Sequence, residues 1–317
     1  MSAMTGTPAL WTAFGVGVLG MLALDLWVFN RHPHRIRMRE AVGWSLVWVA
    51  LALVFAVGVY LGEGSGKAVE FLTGWVIEKA LSVDNLFVFL AIFSYFRVPL
   101  DLQHRVLYYG VLGALVFRGI FIFVGGALLA AFEWMVYGFG ALLMVTAFRM
   151  LRPQGAAVDP ERNRVLRACR RLFRTTPDYQ GAAFFVREPG KSWFRATPLF
   201  LVLVFIEVSD VMFAVDSVPA VFAVTRDTFI VYTSNVFAIL GLRALYFVLA
   251  GMMNRFSLLH YGLALVLFFV GGKMILEPLL HWEMPPEVSL SVVGSLIALS
   301  VAASWVLARW RERRGVG

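Results

Sequence analysis

The chain has 317 residues, of which 60% are hydrophobic and only 15% are charged, and its formal net charge is +8. Soluble domains are about 45–50% apolar and about 25% charged, so this composition excludes an ordinary soluble protein and is typical of a polytopic membrane protein. The basic residues stand in short patches between apolar runs, which argues against a nucleic-acid-binding face. The one cysteine, Cys169, excludes an intramolecular disulfide and a thiolate cluster.

Apolar runs along the chain predict an all-α membrane protein with about nine transmembrane helices. The nine runs cover residues 8–29, 42–62, 71–96, 106–128, 131–150, 196–222, 228–249, 259–279 and 287–309. They divide the chain into transmembrane helices 1–5 (1–150), an arginine-rich cytoplasmic loop (151–195), and helices 6–9 with a short basic tail (196–317). We predict that the loop is a solvated connector lying on anionic lipid headgroups, with a regulatory or partner-binding role as the alternative.

The distribution of basic residues predicts the orientation. Of the 28 lysines and arginines, 22 fall in connections and in the tail on one side of the predicted membrane, and only Lys67 and Arg226 fall on the other. Because basic connections stay in the cytoplasm, we predict that the N-terminus lies outside and the C-terminus in the cytoplasm. Four further bases lie within the apolar runs: Lys79, Arg118, Arg243 and Lys273.

The third to fifth runs resemble the sixth to eighth. Tyr137-Gly138 and Arg149-Met150 recur 124 residues later as Tyr261-Gly262 and Lys273-Met274, and residues 82–87 align with 208–213. A unit of three spans is odd, so the second unit crosses the membrane with opposite polarity. The sequence therefore predicts an inverted repeat, which in secondary transporters places the substrate near the midplane where the units meet.

Five acidic residues interrupt the apolar runs. Glu78 and Asp84 lie in the third run, and Glu207, Asp210 and Asp216 lie in the sixth. A charged side chain at the centre of a membrane helix costs about 2.5–3.5 kcal/mol on insertion scales, so these residues must face something other than lipid. Two acidic spans that face each other predict a site for a cation.

Helical geometry limits how the acids of the sixth run can converge. At 100° per residue, Glu207 and Asp210 share a face with Ser217, whereas Asp216 points nearly opposite Glu207. A bend at Pro219, which would also free the carbonyl of Val215, is the way for all three to reach one ion.

Oxygen predominates among the other candidate ligands, which favours Mg²⁺, Ca²⁺ or Mn²⁺ over Zn²⁺ and Cu⁺. The thioether of Met212 would favour Mn²⁺, although packing is the commoner role of such a methionine. Asn235 is equally well interpreted as a ligand or as an interhelical hydrogen-bonding group. The supporting ligands are Ser82, Asn85, Ser209, Ser217, Asn235, Met212 and the Val215 carbonyl.

A structural interpretation of the acids stays open beside the metal site. Ion pairing with the four bases inside the spans would neutralise most of the acidic charge. Arg118 and Arg243, which are related by the repeat, are predicted to be structural or gating partners, with switches that repel the metal as the alternative. Asp25, near the cytoplasmic end of the first run, is interpreted as an interfacial residue, with a place on an entry path as the alternative.

Four stretches resemble the TerC family of integral membrane proteins, which includes the tellurium-resistance protein TerC and the Alx manganese exporters and is related to the LysE transporter superfamily. They are EKALSVDNLFV (78–88), FIEVSD (205–210), FAVDSVPA (213–220) and TSNVFAILGLR (233–243). The resemblance implies Mn²⁺ efflux, with Ca²⁺ as the alternative ion. It also implies a set of metal ligands, namely Glu78, Asp84, Glu207, Asp210 and Asp216.

The leading hypothesis is a divalent-cation exporter of the bacterial inner membrane, driven by exchange for protons through one of these carboxylates, with no organic cofactor. No GxxxxGK[ST] motif is present, so a drive by ATP would need a partner. No Ser/His, Cys/His or HExxH arrangement lies within the runs, which argues against an intramembrane enzyme. The alternative is a membrane-embedded assembly or scaffold factor, linked to tellurium resistance or to the metal supply of exported proteins.

Overall fold

A computed structural model describes residues 7–29, 38–151, 175–187, 194–250, 258–282 and 284–314, with only the backbone at 24–29 and 311–314. This part of the chain forms helices α1 (Pro8–Phe29), α2 (Met38–Glu63), α3 (Ser65–Tyr95), α4 (Leu100–Ala131) and α5 (Met135–Leu151). After two short strands, β1 (Phe185–Arg187) and β2 (Phe194–Ala196), come α6 (Pro198–Phe222), α7 (Thr228–Leu240), α8 (Leu242–Ala250), α9 (Leu259–Leu280) and α10 (Pro286–Arg314).

Every predicted apolar run contains a helix, which confirms an all-α polytopic membrane protein. Among the described residues, five helices (α2, α4, α6, α9 and α10) are long and apolar enough to cross a hydrocarbon core. The pair α7 and α8, bent by 43°, makes a sixth if it is one span, while α5 and the apolar part of α1 are shorter. The number nine therefore stays a prediction.

Two of the helices that carry the acids and their partners begin at residues suited to a helix start. Pro198 stands at the start of α6, where its missing N–H is not needed. Asp227 caps α7, because its Oδ1 accepts hydrogen bonds from the backbone N–H groups of Phe229 and Ile230 at 3.0 and 3.4 Å.

The break between α7 and α8 falls at Gly241. A Cβ there would lie 2.5 Å from Lys79 Nζ and 3.2 Å from Trp48 Cβ, so the position has no room for a larger residue. Lys79 Nζ donates to the Ala238 carbonyl in the last turn of α7 at 3.2 Å. The buried ammonium group of Lys79 thus gives a hydrogen bond to a carbonyl near the end of α7, where carbonyls lack partners within the helix.

Four helices, α3, α4, α6 and α7, pack together as the centre of the bundle. Helix α3 packs on α6 and α7, α4 packs on the same two helices, and α5 runs along α9. Gly140 and Gly271 allow the close approach of α5 and α9, since a Cβ on either would lie 3.0 or 2.9 Å from the other's carbonyl oxygen. A twofold relation that exchanges α3 with α6, α4 with α7–α8, and α5 with α9 would give these pairings, and the repeat itself remains a prediction.

A small antiparallel hairpin, which the sequence did not lead us to expect, lies where α3 ends and α4 begins. Strands β1 and β2 pair with Phe185 opposite Ala196. The Tyr179 hydroxyl donates to the Phe96 carbonyl at 2.8 Å, and burial raises the pKa of Tyr179, so it remains a donor. Phe184 lies against the ring of Tyr109 and beneath the Arg105 guanidinium, which is 5.3 Å from its ring centroid. Cys169 and most of the predicted arginine-rich loop lie outside the described residues.

Candidate cation site

Arg118 stands at the centre of the bundle with 1% of its surface exposed. Its Nε and Nη2 atoms donate to the two carboxylate oxygens of Asp210 at 3.2 and 3.0 Å. Such a two-pronged pair fixes the relative position of both side chains and is among the strongest hydrogen-bonded contacts in proteins. Asp210 is the middle residue of α6, so the pair lies halfway along that helix.

The third nitrogen of the guanidinium, Nη1, lies close to polar groups of three further residues. It contacts the carboxylate of Glu78 on α3, and it donates to Asn235 Oδ1 on α7 at 3.3 Å. The hydroxyl oxygen of Ser217, two turns after Asp210 on α6, lies at a longer 3.5 Å. The Asn235 amide nitrogen donates to the Val231 carbonyl at 3.1 Å, which leaves its oxygen facing the arginine.

We call this group the Arg118 cluster, and it consists of Glu78, Arg118, Asp210, Ser217 and Asn235. Four helices contribute to it, and Glu78 and Asp210 come from the two predicted repeat units. With both acids ionised, it carries two negative charges against one positive charge. Burying such a group is costly unless the charges are paired and hydrogen-bonded. Arg118 pairs with both acids, but only Asp210 is hydrogen-bonded, and the Glu78 oxygens have no hydrogen-bond partner among the described residues.

Glu207 lies one turn from Asp210 on α6 but has a different neighbour. Its carboxylate packs on Gly113 of α4, where a Cβ would lie within 2.2 Å of both carboxylate oxygens. Its Oε2 is buried and has no hydrogen-bond partner among the described residues. An unpaired buried carboxylate oxygen is rare in folded proteins and calls for an explanation.

Asp84 and Asp216 point to other parts of the bundle. Asp216 accepts a hydrogen bond from Thr146 of α5 at 2.8 Å, on a different side of α6 from Asp210. Asp84 is half-buried on α3. No three acidic, histidine or cysteine side chains converge on one point in the part of the chain that the structure describes. The expectation that a bend at Pro219 brings all three acids of α6 together is not met, since Asp210 binds Arg118, Asp216 binds Thr146 and Glu207 packs on Gly113.

The supporting residues divide into those near the cluster and those elsewhere. Ser82 and Asn85 are buried on α3 one and two turns from Glu78, and the Ser82 oxygen and the Asn85 nitrogen lack partners among the described residues. Ser209 bonds to the Phe205 carbonyl of its own helix at 2.8 Å. Met212 is 61% exposed on the outside of the bundle, and the Val215 side chain also faces outward.

The remaining charged residues have their own surroundings. Lys273 lies 3.7 Å from Glu277 on the next turn of α9, and Arg243 is buried in α8. Asp25 lies in α1, but its side chain is outside the described part. Sequence reasoning named Arg118 only as a charge partner and missed that it is the centre of the site, because a sequence does not show which helices are neighbours.

Comparisons with known proteins agree with the fold and the motifs. The chain matches the integral membrane protein TerC family over residues 63–313. It is 49% identical to an Escherichia coli K12 protein that carries the provisional name membrane-bound redox modulator Alx, with 98% of each chain covered. It is also 49% identical to a Myxococcus xanthus membrane protein (96% of this chain, 94% of the relative), and 38% identical to one from Rickettsia felis (93% and 96%). No solved structure matches. The chain is a member of the integral membrane protein TerC family.

Proposed function

We propose that this protein exports a divalent cation, Mn²⁺, across the inner membrane of a bacterium in exchange for protons. The observation that carries the proposal is the Arg118 cluster, in which carboxylates of two helices, an amide oxygen and a hydroxyl meet halfway along α6. Ionisable groups buried in membrane helices mark ion and substrate pathways more often than scaffolding. Oxygen ligands suit hard dications.

In this proposal Glu78 and Asp210 hold the ion, and Asn235 and Ser217 complete its shell. Three other acids, Glu207, Asp84 and Asp216, bind the ion as it enters or leaves, or in another conformation of the protein. Alternating access means that the protein adopts more than one conformation around a fixed site. The choice of Mn²⁺ over Ca²⁺ rests on the family resemblance. A carboxylate that loses its metal can take up a proton, which couples the two fluxes.

Two other functions have weaker support. The relatives named as redox modulators suggest thiol chemistry, but a single cysteine cannot form an intramolecular disulfide. A scaffold function would use the hairpin and the arginine-rich loop, and it leaves the central charged cluster unexplained.

Transport into proteoliposomes tests the proposal. We expect wild-type protein to move Mn²⁺ when a proton gradient is imposed, and Asp210→Asn and Glu78→Gln each to lower the initial rate by about a hundredfold, since each loses a ligand charge in a low-dielectric site. Arg309→Gln, which changes an exposed residue stacked on Trp305, is the matched control and should transport normally.

A scaffold would give no transport in any of these samples. The proposal is wrong if the wild-type protein moves neither Mn²⁺ nor Ca²⁺, or if both acid variants transport at the wild-type rate.

A further inference from the structure

The oxygens proposed to bind the ion already have a cation among them. Asp210 uses both carboxylate oxygens on Arg118, and Glu78, Asn235 and Ser217 face the same guanidinium. We infer that Arg118 is a tethered internal cation that competes with the transported dication for Glu78 and Asp210 and leaves them when the dication binds. This inference rests on the proposed function.

The balance of charges favours replacement of Arg118 by the dication over binding of both cations at the same time. Two carboxylates with Arg118 leave one net negative charge, whereas two carboxylates with a dication are neutral. Adding the dication while the guanidinium stays would place three positive charges against two negative ones inside a buried site, and like charges repel strongly where the dielectric is low. Geometry points the same way, because Arg118 donates to both oxygens of Asp210 and its guanidinium fills the space in front of this carboxylate.

Glu207 offers the displaced guanidinium a second place. It lies one turn from Asp210 on α6, its carboxylate packs on α4 at Gly113, and Gly113 precedes Arg118 by five residues. Its buried Oε2 has no partner among the described residues. In this inference the arginine moves from Asp210 toward this carboxylate, so that its charge is not left isolated inside the bundle.

The consequence is that Arg118 limits the affinity of the site for the dication. The apparent dissociation constant for a ligand equals its intrinsic value divided by the fraction of protein whose site is open to it. Arg118 keeps that fraction small, so the ion is held weakly enough to be released. In the absence of the ion, the arginine keeps the acidic site compensated.

Binding of Mn²⁺ to purified full-length protein in nanodiscs tests the inference. We expect Arg118→Gln to bind Mn²⁺ at least about tenfold more tightly than wild type, because the site is no longer occupied by its own cation. Transport by the same variant should be lost, since release is slowed. Low-millimolar guanidinium chloride, compared with equal potassium chloride, should weaken Mn²⁺ binding to Arg118→Gln and leave binding to wild type unchanged.

Arg118→Lys covers the case in which Arg118→Gln does not fold. Lysine keeps the charge but cannot make the two-pronged contact with Asp210, so we expect tighter Mn²⁺ binding than wild type, by a smaller factor than with glutamine. Arg309→Gln again serves as the control for loss of one positive charge. If the folded Arg118 variants bind Mn²⁺ no more tightly than wild type, or if guanidinium has no effect on Arg118→Gln, Arg118 is not a competitor.

The experiments distinguish a failure of the proposed function from a failure of the inference about Arg118. Wild-type protein that neither binds nor transports a dication overturns the proposed function and the inference with it. Wild-type protein that transports, together with Arg118 variants of unchanged affinity, overturns the inference alone.

Discussion

At the scale of single residues, the contact between Arg118 and Asp210 determines how the acidic charge is distributed. The guanidinium takes both oxygens of Asp210 and one contact from Glu78, whereas Glu207, one turn away on α6, keeps an unpaired oxygen. Neighbouring carboxylates on one helix therefore have opposite surroundings. Asp210 is paired with an internal cation, and one oxygen of Glu207 has no hydrogen-bond partner among the described residues.

Gly113 makes the position of Glu207 possible, and this can be tested. A Cβ in Gly113→Ala would lie 2.1 Å from Glu207 Oε1, so the carboxylate must move away from α4. We expect a loss of about 1–3 kcal/mol in stability, the usual range for overpacking, and a lower transport rate. Thermal unfolding in detergent and proteoliposome flux measure the two effects.

Gly272→Ala is the control for Gly113→Ala, because a Cβ at Gly272 meets nothing within 4 Å. Equal behaviour of the two variants would show that the contact between Glu207 and Gly113 has no role in stability or transport.

The sequence was sufficient to predict the position of a residue where that position depends only on the face of the helix on which the residue lies, which we call its phase. The phase of α6 placed Glu207, Asp210 and Ser217 on one face and Asp216 nearly opposite Glu207. The structure shows Asp210 and Ser217 at Arg118 and Asp216 at Thr146, whereas Glu207 packs on Gly113. Phase does not show which helix lies opposite a face. For that reason neither the central place of Arg118 nor the packing of Glu207 on Gly113 could be predicted.

At the scale of elements, the hairpin connects the loop between α5 and α6 to the start of α4. Its three-residue strands, FVR and FRA, are too short for an alternating pattern to be recognised in a segment rich in arginine. Tyr179 and Phe184 bind it to the turn between α3 and α4. Since α4 carries Arg118, a contact at its first turns can affect the position of the central cluster.

Phe184→Ala tests how firmly the hairpin is docked. The variant loses the contact with the Tyr109 ring and the one with the Arg105 guanidinium, together worth about 1 kcal/mol. The opened fraction of the hairpin should then rise about fivefold. Limited proteolysis with trypsin, which cleaves after arginine, should be faster by a similar factor.

Phe194→Ala provides the comparison for the hairpin, because Phe194 is 68% exposed on β2. We expect its cleavage rate to match that of wild type. An unchanged rate in Phe184→Ala would show that the aromatic contact does not hold the hairpin in place.

The break between α7 and α8 also escaped sequence reasoning. The run 228–249 is continuously apolar, and a glycine such as Gly241 is common in membrane helices, so nothing in the pattern indicates an interruption. The cause is tertiary: Lys79 Nζ and Trp48 fill the space beside Gly241.

At the scale of the whole molecule, composition and the apolar runs were sufficient for the fold class, since a chain this apolar has few alternatives to a helical bundle in a bilayer. Helices α3 and α4 each pack on both α6 and α7. An inverted repeat would give such packing, and the repeat remains a prediction. Orientation rests on the distribution of basic residues and remains a prediction. The identity of the ion lies beyond the fold, because oxygen ligands of this kind accept several hard dications.

Anomalous scattering at the manganese edge, from crystals of the transport-active protein soaked in Mn²⁺, tests the central claim most directly. The account predicts a single strong peak between the Glu78 and Asp210 carboxylates, with the Arg118 guanidinium displaced from Asp210. A peak elsewhere in the bundle, or an Arg118 that still holds both Asp210 oxygens when transported Mn²⁺ is bound, would contradict it.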